Sequence, residues 1–133
     1  MSTPTIPIKD AQDLTKNWQT HNPNFAKAFL IPINDILACI NESGVDLEIV
    51  NGRISTVNPD ESVRAYVGVK DSQKAEDEKL LIVATFKDGS EYVDICENGA
   101  NPPGGRRLYG SGVFDFTKPC PNECNRDSPL FHD

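Results

Sequence analysis

The run Leu80-Leu-Ile-Val-Ala-Thr-Phe86 constrains the fold of this chain more than any other stretch. It is almost continuously apolar, too short for a typical helix and flanked by charge, which reads as a buried central strand. Asp88-Gly89 follows, a pair that tolerates the positive φ angles of a tight turn, and a further strand over about 91–96 completes a hairpin. Upstream, Val63, Ala65, Val67 and Val69 alternate with Arg64, Tyr66 and Gly68, the period of two that separates a core face from a solvent face. The expectation is an antiparallel three-stranded meander over residues 62–96, joined between 70 and 79 by a charged, exposed loop.

Around this centre, 133 residues set the expectation of one domain, with 1–7 a loose lead-in and 97–133 a loop-rich C-terminal segment. The formal charge of −7 argues against nucleic acid or an anionic membrane, because phosphate binding needs a lysine and arginine stripe. A basic protein partner suits that balance. No apolar signal region follows Met1, and no window is long enough to span a bilayer. The expected setting is therefore the cytoplasm, with the four cysteines reduced.

Before the meander, Ile8, Ala11, Leu14 and Trp18 fall on one side of a helix ending near Thr20, with Trp18 as a core anchor. His21-Asn22-Pro23 stops it, and a short strand is expected over 28–31. A second helix over about 33–42 carries the stripe Ile33, Ile36, Leu37 and Ile40, with Gly44 in the left-handed position that ends many helices. Cys39 borders that stripe as a small buried hydrophobe. Two apolar-rich runs, 47–50 and 53–57, flank Asn51-Gly52 and predict a second hairpin. After Cys96 breakers dominate; a final strand is expected at 113–116, and loop beyond it.

Chemistry-bearing residues are few. Cys120-Pro-Asn-Glu-Cys124 has a spacing that lets two thiolates share one zinc, with Cys96 and His132 as the remaining ligands. Free thiols and a local disulfide are the competing readings of the same pair. The spacing is one residue longer than redox C-x-x-C, and no helix start accompanies it. Gly104-Gly-Arg-Arg107 and Gly110-Ser-Gly112 lack the strand and helix that a phosphate cradle requires, so they read as loop glycines. No zinc-protease, serine-hydrolase or P-loop motif is present, and no catalytic residue is expected.

Several of these stretches together resemble a group of short Bacteroidetes proteins with no assigned activity: the Asn17-Trp18 helix, Ala28-Phe-Leu-Ile-Pro32, Val63-Arg-Ala-Tyr-Val-Gly-Val69, and the closing Asp115-Phe-Thr-Lys-Pro-Cys-Pro-Asn-Glu-Cys124 with Ser128-Pro-Leu130. The Pro-Cys-Pro-x-x-Cys tail is the most specific part. The resemblance implies no catalytic residue, and the Asn51-Gly52 hairpin looks like an elaboration on it. The expected fold is α+β, an antiparallel sheet centred on 62–96 with two N-terminal helices on one face. The expected function is non-enzymatic binding or accessory work on a basic protein partner. The alternative is a small enzyme or zinc-dependent module using the C-terminal cysteines.

Overall fold

The protein, in a computed structural model that describes residues 5–71, 74–96 and 113–133, is α+β. Helix α1 (Ile8–His21), strand β1 (Ala28–Leu30) and helix α2 (Ile33–Ser43) are followed by strands β2 (Leu47–Val50), β3 (Arg53–Thr56), β4 (Val63–Gly68), β5 (Lys79–Asp88), β6 (Glu91–Asp94) and β7 (Lys118–Cys120). A 3-10 turn occupies Ala75–Asp77. The expected meander is present as the sheet β4-β5-β6, and β2-β3 and β1-β7 form two-stranded sheets. The contacts sort the chain into two compact units, one of Met1–Leu30, Gly68–Lys79 and Lys118–Asp133, the other of Ile31–Val67 and Leu80–Thr117.

The second unit is built on β5. Its alternation places Ile82, Ala84 and Phe86 on one face, where they enclose Cys39 of α2 together with Ile95, and Ile36, Leu80, Val93 and Phe114 pack around them. Val83 is fully buried on the opposite face (0% exposed). Phe86 pairs with Val93 and Asp88 with Glu91, so the loop is Gly89-Ser90 and Asp88 belongs to the ladder. Gly89, at φ 64°, supplies the positive φ that the turn needs.

Helix α2 seats differently from its apolar stripe. Ile36 and Cys39 face the sheet and Asp35 and Ser43 are buried, while Ile33 and Leu37 are exposed. The helix rests on Cys39, whose small side chain allows a close approach that a leucine would prevent. Asp35 Oδ2 has no hydrogen-bond partner among the described residues, but it lies in the first turn, where the helix dipole favours a carboxylate. Gly44 closes the helix at φ 69°, as expected.

Burial, with the Glu42 and Asp35 carboxylates adding to it, pushes the Cys39 thiol up to about 11. A folded-state value above the unfolded 9.0 means that the native state holds its proton longer. Stability should therefore be intact below pH 9 and fall between about pH 9 and 11, by roughly 3 kcal/mol at most. Native protein should react with iodoacetamide at exposed Cys96 and not at Cys39; rapid alkylation of Cys39 would place it outside the core.

The β2–β3 hairpin turns through Asn51 (φ 53°) and Gly52 (φ 75°), the two positive values of a type I′ turn. Leu47 pairs with Thr56, Ile49 with Ile54 and Val50 with Arg53.

The final strand departs from expectation. Among the described residues Phe114 makes one bridge, exchanging two 2.9 Å hydrogen bonds with Ile82, and the strand proper is β7. Breakers around Cys120 argued for loop, yet Pro119 pairs opposite Phe29 because a two-stranded sheet leaves free edges that do not need its missing N–H.

In the first unit, α1 buries Gln19 while Ile8, Leu14 and Trp18 remain largely exposed, so Trp18 is no core anchor. It ties down the chain after the helix instead. Its Nε1 donates to the Ala26 carbonyl at 3.1 Å, and its ring meets Phe25 edge-on at 6.1 Å. The connector is not wholly exposed either: Glu78 is buried and its Oε1 accepts the Ala26 N–H. Among the described residues, no helix is long and apolar enough to cross a membrane.

Candidate functional site

Of the four residues expected as a zinc set, Cys120 and Cys124 are joined as a disulfide with Cα atoms 4.7 Å apart. Disulfide sulfurs carry no thiolate charge, so in this form the donor set does not fit zinc. Cys96 is a free, exposed thiol of the other unit. His132 places Nε2 3.1 Å from the Thr15 hydroxyl. Among the described residues, no group of three or more His, Cys, Asp or Glu is placed to hold a metal ion. The glycines and arginines of 97–112 lie outside the described residues.

Beside the disulfide, α1 grips the C-terminal segment. Gln19, only 8% exposed, donates from Nε2 to the Leu130 carbonyl at 2.9 Å and accepts the His132 N–H on Oε1 at 2.8 Å. One side-chain amide thus satisfies two backbone groups two residues apart, the exchange a neighbouring strand would make. Lys27 Nζ donates to the His132 carbonyl and stands 4.3 Å from the Phe131 ring centroid, with the Arg126 guanidinium 5.4 Å from the same ring. A cleft of about 230 Å³ opens here, lined by Thr15, Gln19, Lys27, Cys124, Leu130 and Phe131 among others. The Thr15, Gln19 and Lys27 polar groups of this cleft are engaged by the tail.

The second unit presents a polar sheet face. Thr85 pairs with Asp94 and Lys87 with Tyr92, so these four side chains share that face. Arg64 Nη1 of β4 reaches over the small Thr85 to Asp94 Oδ1 on β6, its Nη2 donates to the Tyr92 carbonyl at 3.1 Å, and the Tyr66 hydroxyl donates to Asp94 Oδ2. Lys87 pairs with Asp60 at 3.0 Å, and the Tyr92 hydroxyl donates to the Asp60 carbonyl at 2.7 Å. The hydrogen bonds to Asp94 raise the pKa of Arg64 and hold the Tyr66 phenol protonated above its ordinary value; the bond to Asp60 raises that of Lys87. Each cation has its carboxylate and both Asp94 oxygens are engaged. Nothing in the network is poised as a nucleophile or general base.

The β2–β3 hairpin is the other notable surface. Leu47, Ile49 and Ile54 share one face, with Ile49 75% and Ile54 72% exposed, and Val50 is exposed on the other. Residues 42–61 hold five carboxylates and one arginine. Asp46, Glu48 and Glu61 make no ion pair among the described residues.

No protein-family model, curated protein or solved structure matches this chain. Sequence reasoning passed over Gln19, Lys27 and the Arg64–Tyr66–Asp94 network. The β4 alternation put Arg64 and Tyr66 on one face, but their partner depended on the register with β6. Nothing in the sequence marks Gln19.

Proposed function

We propose that this protein is a non-enzymatic binding or accessory protein, that its partner is a basic protein, and that the β2–β3 hairpin is the contact element. The exposure of Ile49 and Ile54 carries this reading: an apolar cross-strand pair left to water is an unusual cost for a hairpin that few contacts stabilise. Asp46, Glu48 and Glu61 beside it, without an ion pair among the described residues, favour a cationic partner and would steer its approach. The engaged polar groups of the sheet face support binding over catalysis. The Cys120–Cys124 disulfide supports an oxidising compartment, against the cytoplasmic setting expected from the sequence.

The test is a photo-crosslinking residue placed at position 49, with position 16 of the exposed α1 surface as control. Crosslinks to one basic protein are expected from 49 and not from 16. Ile54→Glu should weaken that complex more than tenfold, since it removes roughly 2 kcal/mol of apolar burial. Equal labelling from both positions, or an acidic partner, would sink the reading.

A further inference from the structure

We propose that the Cys120–Cys124 disulfide is a latch, opened by an external dithiol, that sets whether the C-terminal segment stays docked against α1 as a wall of the cleft there. Three observations converge on it. The bond joins residues only four apart, so it removes little chain entropy, and its loss is a modest change that the fold can survive. The two cysteines are unequally exposed: Cys120 is 2% exposed as the last residue of β7, opposite Ala28, whereas Cys124 is half-buried; both line the α1 cleft, and Cys124 also lines the cleft beside it. Beyond Cys124, Leu130, Phe131 and His132 are held by three side chains, Thr15, Gln19 and Lys27, with Arg126 of the tail itself against Phe131. The disulfide cross-links the start of that tail to the strand it leaves, in addition to the peptide chain through 121–123.

The accessible sulfur fixes the order of exchange. A thiolate of the dithiol attacks Cys124 Sγ, the S–S bond breaks, and Cys120 leaves as a thiolate that takes a proton from solvent. The second thiol of the reductant, deprotonated, then attacks its own sulfur in the mixed disulfide and releases Cys124 as a thiolate, which is protonated in turn. Two electrons pass to the cysteine pair and the dithiol ends as a disulfide. With the cross-link cut, only the 121–123 backbone joins the tail to β7, its docking rests on the contacts of 130–132, and its opening exposes Leu130, Phe131 and the wall of the cleft formed by Thr15, Gln19 and Lys27.

Hydrogen exchange of the native full chain, with and without dithiothreitol and without denaturant, tests this, with alkylation counting the thiols released. Two additional thiols are expected. The amides of Glu123, Cys124 and His132 should exchange about 30-fold faster, the ratio that loss of a tie worth about 2 kcal/mol gives. The amides of Ile82 and Ile95 should not change. The double variant Cys120→Ser/Cys124→Ser should show the fast tail rates with or without reductant. If the bond yields only when the chain unfolds, or if reduction leaves the tail amides unchanged, the disulfide is a passive cross-link and the latch is wrong; should the double variant fail to fold, the wild-type comparison alone decides.

Discussion

Val83→Asp should abolish folding of the unit built on β5. Val83 is fully buried in the middle of that strand, on the face opposite the cluster of Cys39, Ile82, Ala84 and Phe86. A carboxylate there has no cation to pair with among the groups described, since Arg64 and Lys87 are committed to Asp94 and Asp60. Burying an unpaired charge costs several kcal/mol even after relaxation, against a total stability of roughly 5–15 kcal/mol. Insoluble expression or loss of a cooperative denaturant transition is the expected result. Val83→Ala is the graded partner, folded but weaker by about 2–3 kcal/mol through lost methyls and the space they leave. A soluble Val83→Asp protein that melts cooperatively would mean that this face of β5 is open to water.

Gln19→Leu should have the second-largest effect, and a local one. Leucine keeps much of the volume and removes both polar atoms, so the Leu130 carbonyl and the His132 N–H lose their partners together. Each unsatisfied group costs about 1–3 kcal/mol when it stays buried. The tail has the option of swinging out to water, which caps the loss at the energy of docking it. Exchange of the His132 amide should therefore rise at least tenfold, and the tail should become sensitive to proteolysis near Arg126. The amides of the β4–β6 sheet should keep their protection. Unchanged exchange at His132 would show that Lys27 and the ring of Phe131 hold the tail without Gln19.

The elements legible in the sequence were those specified by local chemistry. The β5 run, the Gly89 turn, the Asn51-Gly52 hairpin and the Gly44 helix end each rest on one residue type whose backbone freedom or burial allows few alternatives. The faces of the two helices were misread for a common reason. Periodicity ranks positions by apolarity, whereas α2 seats on Cys39, expected to be buried but only at the border of the stripe, and α1 turns a glutamine toward a tail more than a hundred residues away. No local window contains that pairing. The same holds for β7, whose partner β1 lies near the other end of the sequence and whose proline hid it. At the candidate sites, the cysteine pair was visible from its spacing. Its oxidised state was one of three open readings, because spacing constrains distance and not redox setting.

The reach of Arg64 and Tyr66 over Thr85 to Asp94 has a mechanical consequence. A strand on the edge of a sheet is normally held in series: pulled from one end it peels, and its backbone bonds fail one after another. Here β4 is also fastened to the far strand, so a peeling force is shared between its own ladder and a crossbar anchored on β6. That crossbar is ionic and partly exposed, and concentrated salt should soften it while leaving the backbone ladder intact. The sheet can thus lose stiffness without losing its fold, and the strand that yields first is the one bearing Val63 and Val67 on its open side.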